Sequence, residues 1–230
     1  MIPINERNEF LVKRAVIFDL DGTLLDTLAD LTNAVNHLLR SHNMPERSTA
    51  EVRSFLGNGA RDLVLRALPE RLDDETFEKY LAEYVEYYNN NSTIETKPYK
   101  GVLELLDELR AMGIATAVVS NKPDAAVKSL SQKYFGDRID FALGDKAGIA
   151  RKPSPEPVLY AMGELGCERA VFVGDSEVDV LTARRAGLPC VSLTWGFRDK
   201  ELLEEHGADI FASDARELKA AIFEALGLEE

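Results

Sequence analysis

Short runs of apolar residues recur along most of the chain, and segments with helical periodicity separate them. Several of these runs are apolar throughout, which is typical of strands covered on both faces of a sheet. The runs occupy residues 15–20, 114–120, 141–144, 170–175, 190–195 and 209–213. This alternation of strands and helices predicts an α/β fold whose core is a doubly wound, mostly parallel sheet.

Residues 26–97 interrupt the alternation, because their pattern is helical. Within them, Ser48 and Glu51 have the spacing of a capping box at the start of a helix. An apolar and aromatic stripe at spacings of three and four then follows, formed by Phe77, Tyr80, Leu81, Tyr84, Val85 and Tyr88. We therefore predict an α/β core of residues 1–25 and 98–230. A small all-helical domain of residues 26–97, which we call the helical insert, follows the first strand.

The bulk composition limits the classes of partner. The chain has 230 residues, of which 45% are hydrophobic, and its formal net charge is −13. This acidic excess argues against non-specific binding to nucleic acid or to an anionic membrane. A small anionic substrate beside a local metal ion stays compatible with it. The sequence leaves a monomer and a homodimer equally open.

The cysteines and the N-terminal segment bear on the cellular compartment. Cys167 and Cys190 have no cysteine or histidine partner at zinc-ligand spacing, and no disulfide framework is visible. Residues 1–14 lack the apolar centre of a signal peptide, and no apolar run reaches transmembrane length. We therefore expect a cytoplasmic protein.

Four short polar motifs lie at the ends of predicted strands. They are Asp19-Leu20-Asp21-Gly22-Thr23, Ser120-Asn121-Lys122, Arg151-Lys152-Pro153 and Gly174-Asp175-Ser176-Glu177-Val178-Asp179. In an open parallel sheet, ligands bind at the edge formed by the carboxyl ends of the strands. We therefore expect the four motifs to converge on one site.

The side chains in these motifs suit phosphoryl transfer assisted by a metal ion. Asp19 and Asp175 can supply oxygen ligands to Mg²⁺, and a carboxylate can also act as a covalent nucleophile. Ser120 offers a hydroxyl to a phosphate oxygen, and Lys152 offers positive charge beside the transferring group. Each motif alone is common in turns and loops, so the prediction depends on all of them occurring in this order.

The order and content of the motifs resemble the haloacid dehalogenase superfamily of aspartyl-phosphate hydrolases, over nearly the whole chain after the N-terminal extension. The resemblance implies that Asp19 attacks phosphorus, and that Asp21 protonates the leaving alcohol and then activates water. It also implies a Mg²⁺ ion held by Asp19, the backbone carbonyl of Asp21, and Asp175. Asp179 would support the metal directly or through water, or would serve only as a charge at a helix start.

The same resemblance implies roles for the remaining motif residues and for the helical insert. Ser120 would bind the phosphate, and Lys152 would neutralise charge on Asp19 and the phosphoryl group. Thr23 and Asn121 would contact the substrate. The helical insert would be a cap domain that closes over the site and sets the substrate.

Within the superfamily, the segment Gly57-Asn58-Gly59-Ala60-Arg61 is similar to the phosphoglycolate phosphatases. Its glycines can bring backbone N–H groups close to a small anion, and Arg61 can pair with a substrate carboxylate. In a simpler interpretation, the segment is only a hinge-like turn and Arg61 is solvated. The similarity favours 2-phosphoglycolate, cleaved to glycolate and phosphate, as the substrate.

Other functions within the superfamily stay open or are disfavoured. A 2-haloacid dehalogenase is disfavoured, because Asp21 supplies a second acid that those enzymes are not expected to carry. A β-phosphoglucomutase-like enzyme and a broad-specificity sugar or nucleotide phosphatase stay open. A non-catalytic binding module is disfavoured, because Asp19, Asp21, Lys152 and Asp175 are all present. Each catalytic alternative implies a small phosphorylated metabolite as the partner.

Overall fold

The structure, a computed structural model, describes residues 13–228. Most of the N-terminal segment, for which we predict no signal peptide, lies outside these residues. The strands are β1 (Arg14–Phe18), β2 (Leu25–Asp26), β3 (Lys97–Pro98), β4 (Ala115–Pro123), β5 (Phe141–Asp145), β6 (Arg169–Gly174), β7 (Cys190–Leu193) and β8 (Ile210–Ala212). Six of them form a parallel sheet in the order β5-β4-β1-β6-β7-β8. The sheet confirms the predicted α/β class.

The described residues also form ten α-helices. They are α1 (Leu28–Ser41), α2 (Thr49–Phe55), α3 (Gly59–Ala67), α4 (Asp74–Asn91), α5 (Val102–Ala111), α6 (Asp124–Tyr134), α7 (Glu156–Leu165), α8 (Glu177–Ala186), α9 (Lys200–Glu205) and α10 (Ala215–Leu226). The capping box at α2 is present, since Ser48 Oγ accepts from the Glu51 N–H and the Glu51 side chain accepts from the Ser48 N–H. Within residues 13–228, no helix combines the length and apolarity needed to cross a membrane.

Helices cover both faces of the sheet, which explains why its central strand is apolar throughout. Val16 and Phe18 of β1 belong to a buried cluster that includes apolar residues of α5, α6 and α10. Ala15 and Ile17 point to the opposite face and belong to a cluster with residues of α7 and α8. Strand β1 is thereby fixed at the centre of the sheet, between β4 and β6.

The helical insert contains α1–α4 and has its own hydrophobic cluster, which includes Leu38, Val52, Val64, Phe77 and Tyr84. At its base, β2 and β3 pair antiparallel. The buried carboxylate of Asp30 accepts hydrogen bonds from the backbone N–H groups of residues 94–96. These bonds tie the two chain segments that join the insert to the sheet. The domain boundaries at residues 26 and 97 stay a prediction.

Candidate active site

The carboxyl ends of three adjacent strands bring the predicted motifs together. Asp19 follows β1, Asp175 follows β6, and Ser120 lies near the end of β4. Because β1 lies between β4 and β6, these residues share one edge of the sheet. Lys152 reaches the same edge from the segment between β5 and α7. The structure thus gathers the four motifs, while the roles of their residues stay predictions.

Three buried or nearly buried aspartates form an acidic cluster around one lysine. Asp19, Asp175 and Asp179 each present a carboxylate oxygen, and these oxygens all lie within 4.8 Å of one another. Lys152 Nζ lies 2.9 Å from Asp19 Oδ1 and 2.7 Å from Asp179 Oδ1. Lys152 therefore contacts two of the three acidic groups, and the acidic groups outnumber the single cation at this position.

Burial and the charges of the cluster together shift the pKa values of its members. Burial raises the pKa of Asp19 to about 6, because the loss of hydration outweighs the opposing charge of Lys152. Burial also raises the pKa of Asp175 well above its ordinary value, and the charges of Asp179 and Asp19 add to the effect. Burial alone would lower the pKa of Lys152, but Asp179 and Asp19 together hold it above its ordinary value. A further cation would relieve the repulsion among the acids.

Glycines leave the space that the acidic cluster occupies. A Cβ at Gly22 would lie 2.3 Å from Asp175 Oδ2, and a Cβ at Gly196 would lie 2.2 Å from Asp175 Cβ. The Asp175 carboxylate is then oriented by the Thr23 hydroxyl, 2.8 Å from Oδ1, and by the Phe197 N–H, 2.7 Å from Oδ2. Its direction is therefore fixed by two donors on separate loops.

The residues present fit a Mg²⁺ ion. Although Asp19 Oδ1 faces Lys152, this buried oxygen accepts no well-directed hydrogen bond. It belongs to an all-oxygen set of acidic ligands, which is the set that Mg²⁺ prefers. Unlike Asp19 Oδ1, both carboxylate oxygens of Asp179 have hydrogen-bond partners: Oδ1 accepts from Lys152, and Oδ2 accepts from the Ser176 hydroxyl at 2.6 Å. Whether Asp179 supports a metal ion directly or through water stays a prediction.

A second ion pair in the site joins Asp21 to Lys122. Lys122 Nζ lies 2.9 and 3.0 Å from the two carboxylate oxygens of Asp21, and its side chain is only 4% exposed. The ring of Tyr88, from α4 of the helical insert, covers the ammonium group with its centre 4.3 Å away. Sequence reasoning assigned no role to Lys122, although its place directly after Ser120-Asn121 in the second motif was a signal for it.

The structure does not bring every predicted substrate-binding residue to the site. Thr23 is fully buried, and its hydroxyl donates to Asp175. Arg61 lies on the outside of α3, where its half-exposed side chain pairs with Glu78. Neither residue lines the cavity at the site, so the expected direct contacts of Thr23 and Arg61 with substrate are not supported.

Other predicted substrate-binding residues do reach the cavity. Ser120, Asn121, Gly57 and Gly59 line it. The Asn121 amide, however, donates to the carbonyls of Gly57 and Lys152, so it joins loops of the site to each other. Asn58 lies outside the cavity lining, and its carbonyl accepts from Arg151 Nη1 at 3.4 Å.

The cavity lies between the sheet edge and the helical insert. Its volume is about 60 Å³, which is room for a few water molecules or a small anion. The sheet edge contributes polar groups, including Asp19, Asp21, Ser120, Lys122 and Asp175. The insert contributes mainly apolar and aromatic side chains, including Leu31, Leu56, Leu63, Tyr84, Val85 and Tyr88. The cavity therefore has a polar side at the sheet edge and a mainly apolar side at the helical insert.

The sequence shows to which family the chain belongs. A family model described as haloacid dehalogenase-like hydrolase matches residues 16–193. The match covers well over half of the chain, so the protein belongs to the haloacid dehalogenase-like hydrolases.

Named relatives extend this result. Phosphoglycolate phosphatase 1 of Pseudomonas aeruginosa is 36% identical over an alignment of 213 residues, and the match covers 89% of this chain and 78% of the relative. N-acetylmuramic acid 6-phosphate phosphatase of the same species is 31% identical over 217 residues, 93% of this chain and 96% of the relative. The crystal structure of a predicted phosphoglycolate phosphatase from Haemophilus somnus has a TM-score of 0.83 at 32% identity, and the match covers 90% of this chain and 97% of the solved chain.

Proposed function

We propose that this hydrolase is a Mg²⁺-dependent phosphatase that converts 2-phosphoglycolate and water into glycolate and phosphate. The position of Asp19 carries the proposal, because its carboxylate lines the cavity and is held between Lys152 and the other acids of the cluster. The names of two relatives, phosphoglycolate phosphatase 1 of Pseudomonas aeruginosa and the predicted phosphoglycolate phosphatase of Haemophilus somnus, support phosphoglycolate as the substrate.

Asp19 performs the first step in this mechanism. Its carboxylate oxygen bonds to phosphorus, the bond from phosphorus to the glycolate oxygen breaks, and an aspartyl phosphate forms. Lys152 offers positive charge to the phosphoryl oxygens, and the Ser120 hydroxyl donates to one of them. A Mg²⁺ ion held by Asp19, the backbone carbonyl of Asp21 and Asp175 would supply further positive charge at the phosphoryl group.

Asp21 donates a proton in the first step and accepts one in the second. As an acid, it gives its proton to the departing glycolate oxygen. As a base, it then takes a proton from the water that attacks phosphorus, which releases phosphate and restores Asp19. The carboxylate of Asp21 lines the same cavity as Asp19, so both groups can reach one reacting phosphoryl group.

The helical insert, residues 26–97, acts as the cap in this proposal, over a core of residues 1–25 and 98–230. Its apolar side chains face the polar sheet edge across the cavity. Excluding water strengthens the electrostatic interactions at the phosphoryl group and favours the intended attack on phosphorus.

Lys122 binds the substrate carboxylate in this proposal and takes the place we had given to Arg61. The carboxylate carbon of phosphoglycolate lies two bonds beyond the leaving oxygen, the atom that Asp21 protonates. Lys122 Nζ lies 2.9 Å from Asp21 and lines the cavity, so it is within reach of that carboxylate. Arg198 also lines the cavity, but its guanidinium is already bonded to Glu177 and to backbone carbonyls.

The substrate proposal is tested by comparing kcat/KM, in the presence of Mg²⁺, for 2-phosphoglycolate, N-acetylmuramic acid 6-phosphate, a hexose phosphate and a nucleoside monophosphate. We expect phosphoglycolate to give the highest value, since among these substrates only its carboxylate carbon lies two bonds from the leaving oxygen, within reach of Lys122. A higher value for any of the larger substrates would refute phosphoglycolate as the preferred substrate. If the protein hydrolysed none of the four substrates, the proposed phosphatase activity would be refuted.

The role of Lys122 is tested by a ratio of two substrates. 2-Hydroxyethyl phosphate has an alcohol where phosphoglycolate has its carboxylate, so the ratio of their kcat/KM values isolates recognition of the carboxylate. In Lys122→Met we expect this ratio to fall roughly 10-fold or more, since a charge-assisted contact is lost. Effects through Asp21 cancel because they act on both substrates. Arg61→Met is the matched control and should leave the ratio unchanged; the opposite pattern would restore Arg61 as the carboxylate ligand.

A further inference from the structure

The loop of residues 194–199, between β7 and α9, contacts both the helical insert and the acidic cluster. Its arginine, Arg198, is 9% exposed at the side chain and crosses to the C-terminal end of α2. Nη1 lies 3.1 Å from the carbonyl oxygen of Arg53, and Nη2 lies 2.6 Å from that of Leu56. Carbonyls in the last turn of a helix have no partners within the helix, so Arg198 satisfies groups that would otherwise be unpaired.

Arg53 makes the reciprocal contacts from the helical insert. Its Nε donates to the carbonyl of Phe197 at 2.8 Å, and its Nη2 donates to that of Gly196 at 3.1 Å. The same Nη2 lies 3.3 Å from Asp199 Oδ1. Each arginine therefore bonds to backbone carbonyls on the element that carries the other, and the two together join α2 to the loop.

The loop also reaches the acidic cluster. The Phe197 N–H donates to Asp175 Oδ2 at 2.7 Å, while the ring of Phe197 belongs to the hydrophobic cluster of the insert. Gly196 packs so closely on Asp175 that a Cβ there would lie 2.2 Å from the Asp175 Cβ. One residue of the loop thus orients an acid of the cluster and packs in the helical insert.

We propose that Arg53 and Arg198 are positioning residues, which form a latch through which the helical insert holds Asp175 in the direction that binds Mg²⁺. With the latch made, the carbonyls of Gly196 and Phe197 are fixed, and so is the N–H that Phe197 presents to Asp175. With the latch broken, Asp175 still accepts from the Thr23 hydroxyl, but its second donor, the Phe197 N–H, is no longer held in a fixed position. Donors of this kind, which orient a metal ligand without touching the metal, tune metal affinity. The inference rests on the metal site of the proposed function, and does not depend on the identity of the substrate.

The test measures Mg²⁺ binding without substrate. Trp195, the only tryptophan of the chain, adjoins Gly196, and its Nε1 donates to the carbonyl of Thr23, so its fluorescence reports on this part of the loop. In Arg53→Ala, we expect the dissociation constant for Mg²⁺ to rise roughly 10-fold. Arg53→Ala is the primary variant because Arg53 is 38% exposed, whereas Arg198→Ala leaves Glu177 without its partner.

The matched control is Arg47→Ala. Arg47 also bonds to a backbone carbonyl, that of Ala67, but this contact lies within the helical insert. We expect its Mg²⁺ affinity to equal that of the wild type. A dissociation constant for Arg53→Ala within about two-fold of the control would overturn the latch. Absence of Mg²⁺ binding by the wild type would instead overturn the metal site of the proposed function, so the two failures are distinguishable.

Reciprocity gives a second readout that does not involve activity. If the latch favours Mg²⁺ binding, then Mg²⁺ must favour the latch by the same free energy. We expect Mg²⁺ to slow hydrogen exchange of the backbone amides at residues 53–57 in the wild type, and to have a smaller effect in Arg53→Ala. Equal slowing in both proteins would contradict the coupling.

Discussion

Replacement of Asp19 by asparagine should stabilise the protein when no metal ion is bound. Asp19 has a folded-state pKa of about 6 against 3.8 in an unfolded chain, because burial disfavours its charged form. The folded protein therefore binds this proton more tightly than the unfolded chain does. As the pH rises from about 4 to about 6, the unfolded chain loses the proton first and wild-type stability falls.

The size of this effect follows from the same pKa. The rise from 3.8 to about 6 corresponds to roughly 3 kcal/mol of folding free energy, lost by the wild type above pH 6 and retained below pH 4. Asparagine cannot ionise and avoids this loss. For a chain of 230 residues, we expect the melting temperature of Asp19→Asn at pH 8 to exceed that of the wild type by roughly 6–12 °C.

The assay is thermal unfolding in a chelator, at several pH values between 4 and 8. The difference between Asp19→Asn and wild type should shrink toward zero as the pH falls to 4. Asp209→Asn, at an exposed position, is the control and should show little difference at any pH. Added Mg²⁺ should then raise the melting temperature of the wild type more than that of Asp19→Asn, since a ligand that binds the folded state stabilises it. An Asp19→Asn protein that is less stable than wild type at pH 8 in chelator would refute the reasoning.

Two further predictions concern neighbouring positions. In Asp21→Asn, turnover of phosphoglycolate should fall by about 10² or more, because the acid and base group is lost. The affinity for Mg²⁺ should change little, because the backbone carbonyl of residue 21 remains. Steady-state kinetics and metal titration measure the two quantities, and a parallel loss of turnover and Mg²⁺ affinity would contradict the prediction. In Gly196→Ala, the new Cβ would meet Asp175 at 2.2 Å, so we expect a loss of about 1–3 kcal/mol in unfolding free energy and weaker Mg²⁺ binding. Gly163→Ala, in helix α7 with open space at its Cβ, is the control and should not destabilise the protein.

The fold and the gathering of the motifs could be predicted because their signals are local. Apolar runs mark the strands, and a parallel sheet places the carboxyl ends of its strands on one edge whatever the loops between them do. Asp19, Lys152 and Asp175 could therefore be assigned to one site although they are far apart in the chain. The capping box at Ser48 was equally local, since its two bonds join residues three apart.

The features of the site that could not be predicted from the sequence depend on the direction in which a side chain points and on contacts between residues far apart in the chain. Arg61 lies one residue beyond Ala60 and two before Leu63, both of which face the cavity, so the rotation of α3 turns Arg61 outward to Glu78. The Thr23 hydroxyl points to Asp175, 152 residues away, and not to the substrate. The partners of Lys122 and Arg198 are likewise set by how the helical insert sits on the sheet edge.

The most direct test of the account is the turnover of 2-phosphoglycolate by Asp19→Asn in the presence of Mg²⁺, relative to the wild type and to Asp209→Asn. An amide is a poor nucleophile, so we predict that kcat/KM falls by at least about 10³ in Asp19→Asn and is unchanged in the control. The thermal unfolding measurement described above is the necessary control, because a variant that is folded and more stable than the wild type cannot be inactive through unfolding. A kcat/KM for Asp19→Asn within about ten-fold of the wild type would contradict the assignment of Asp19 as the nucleophile.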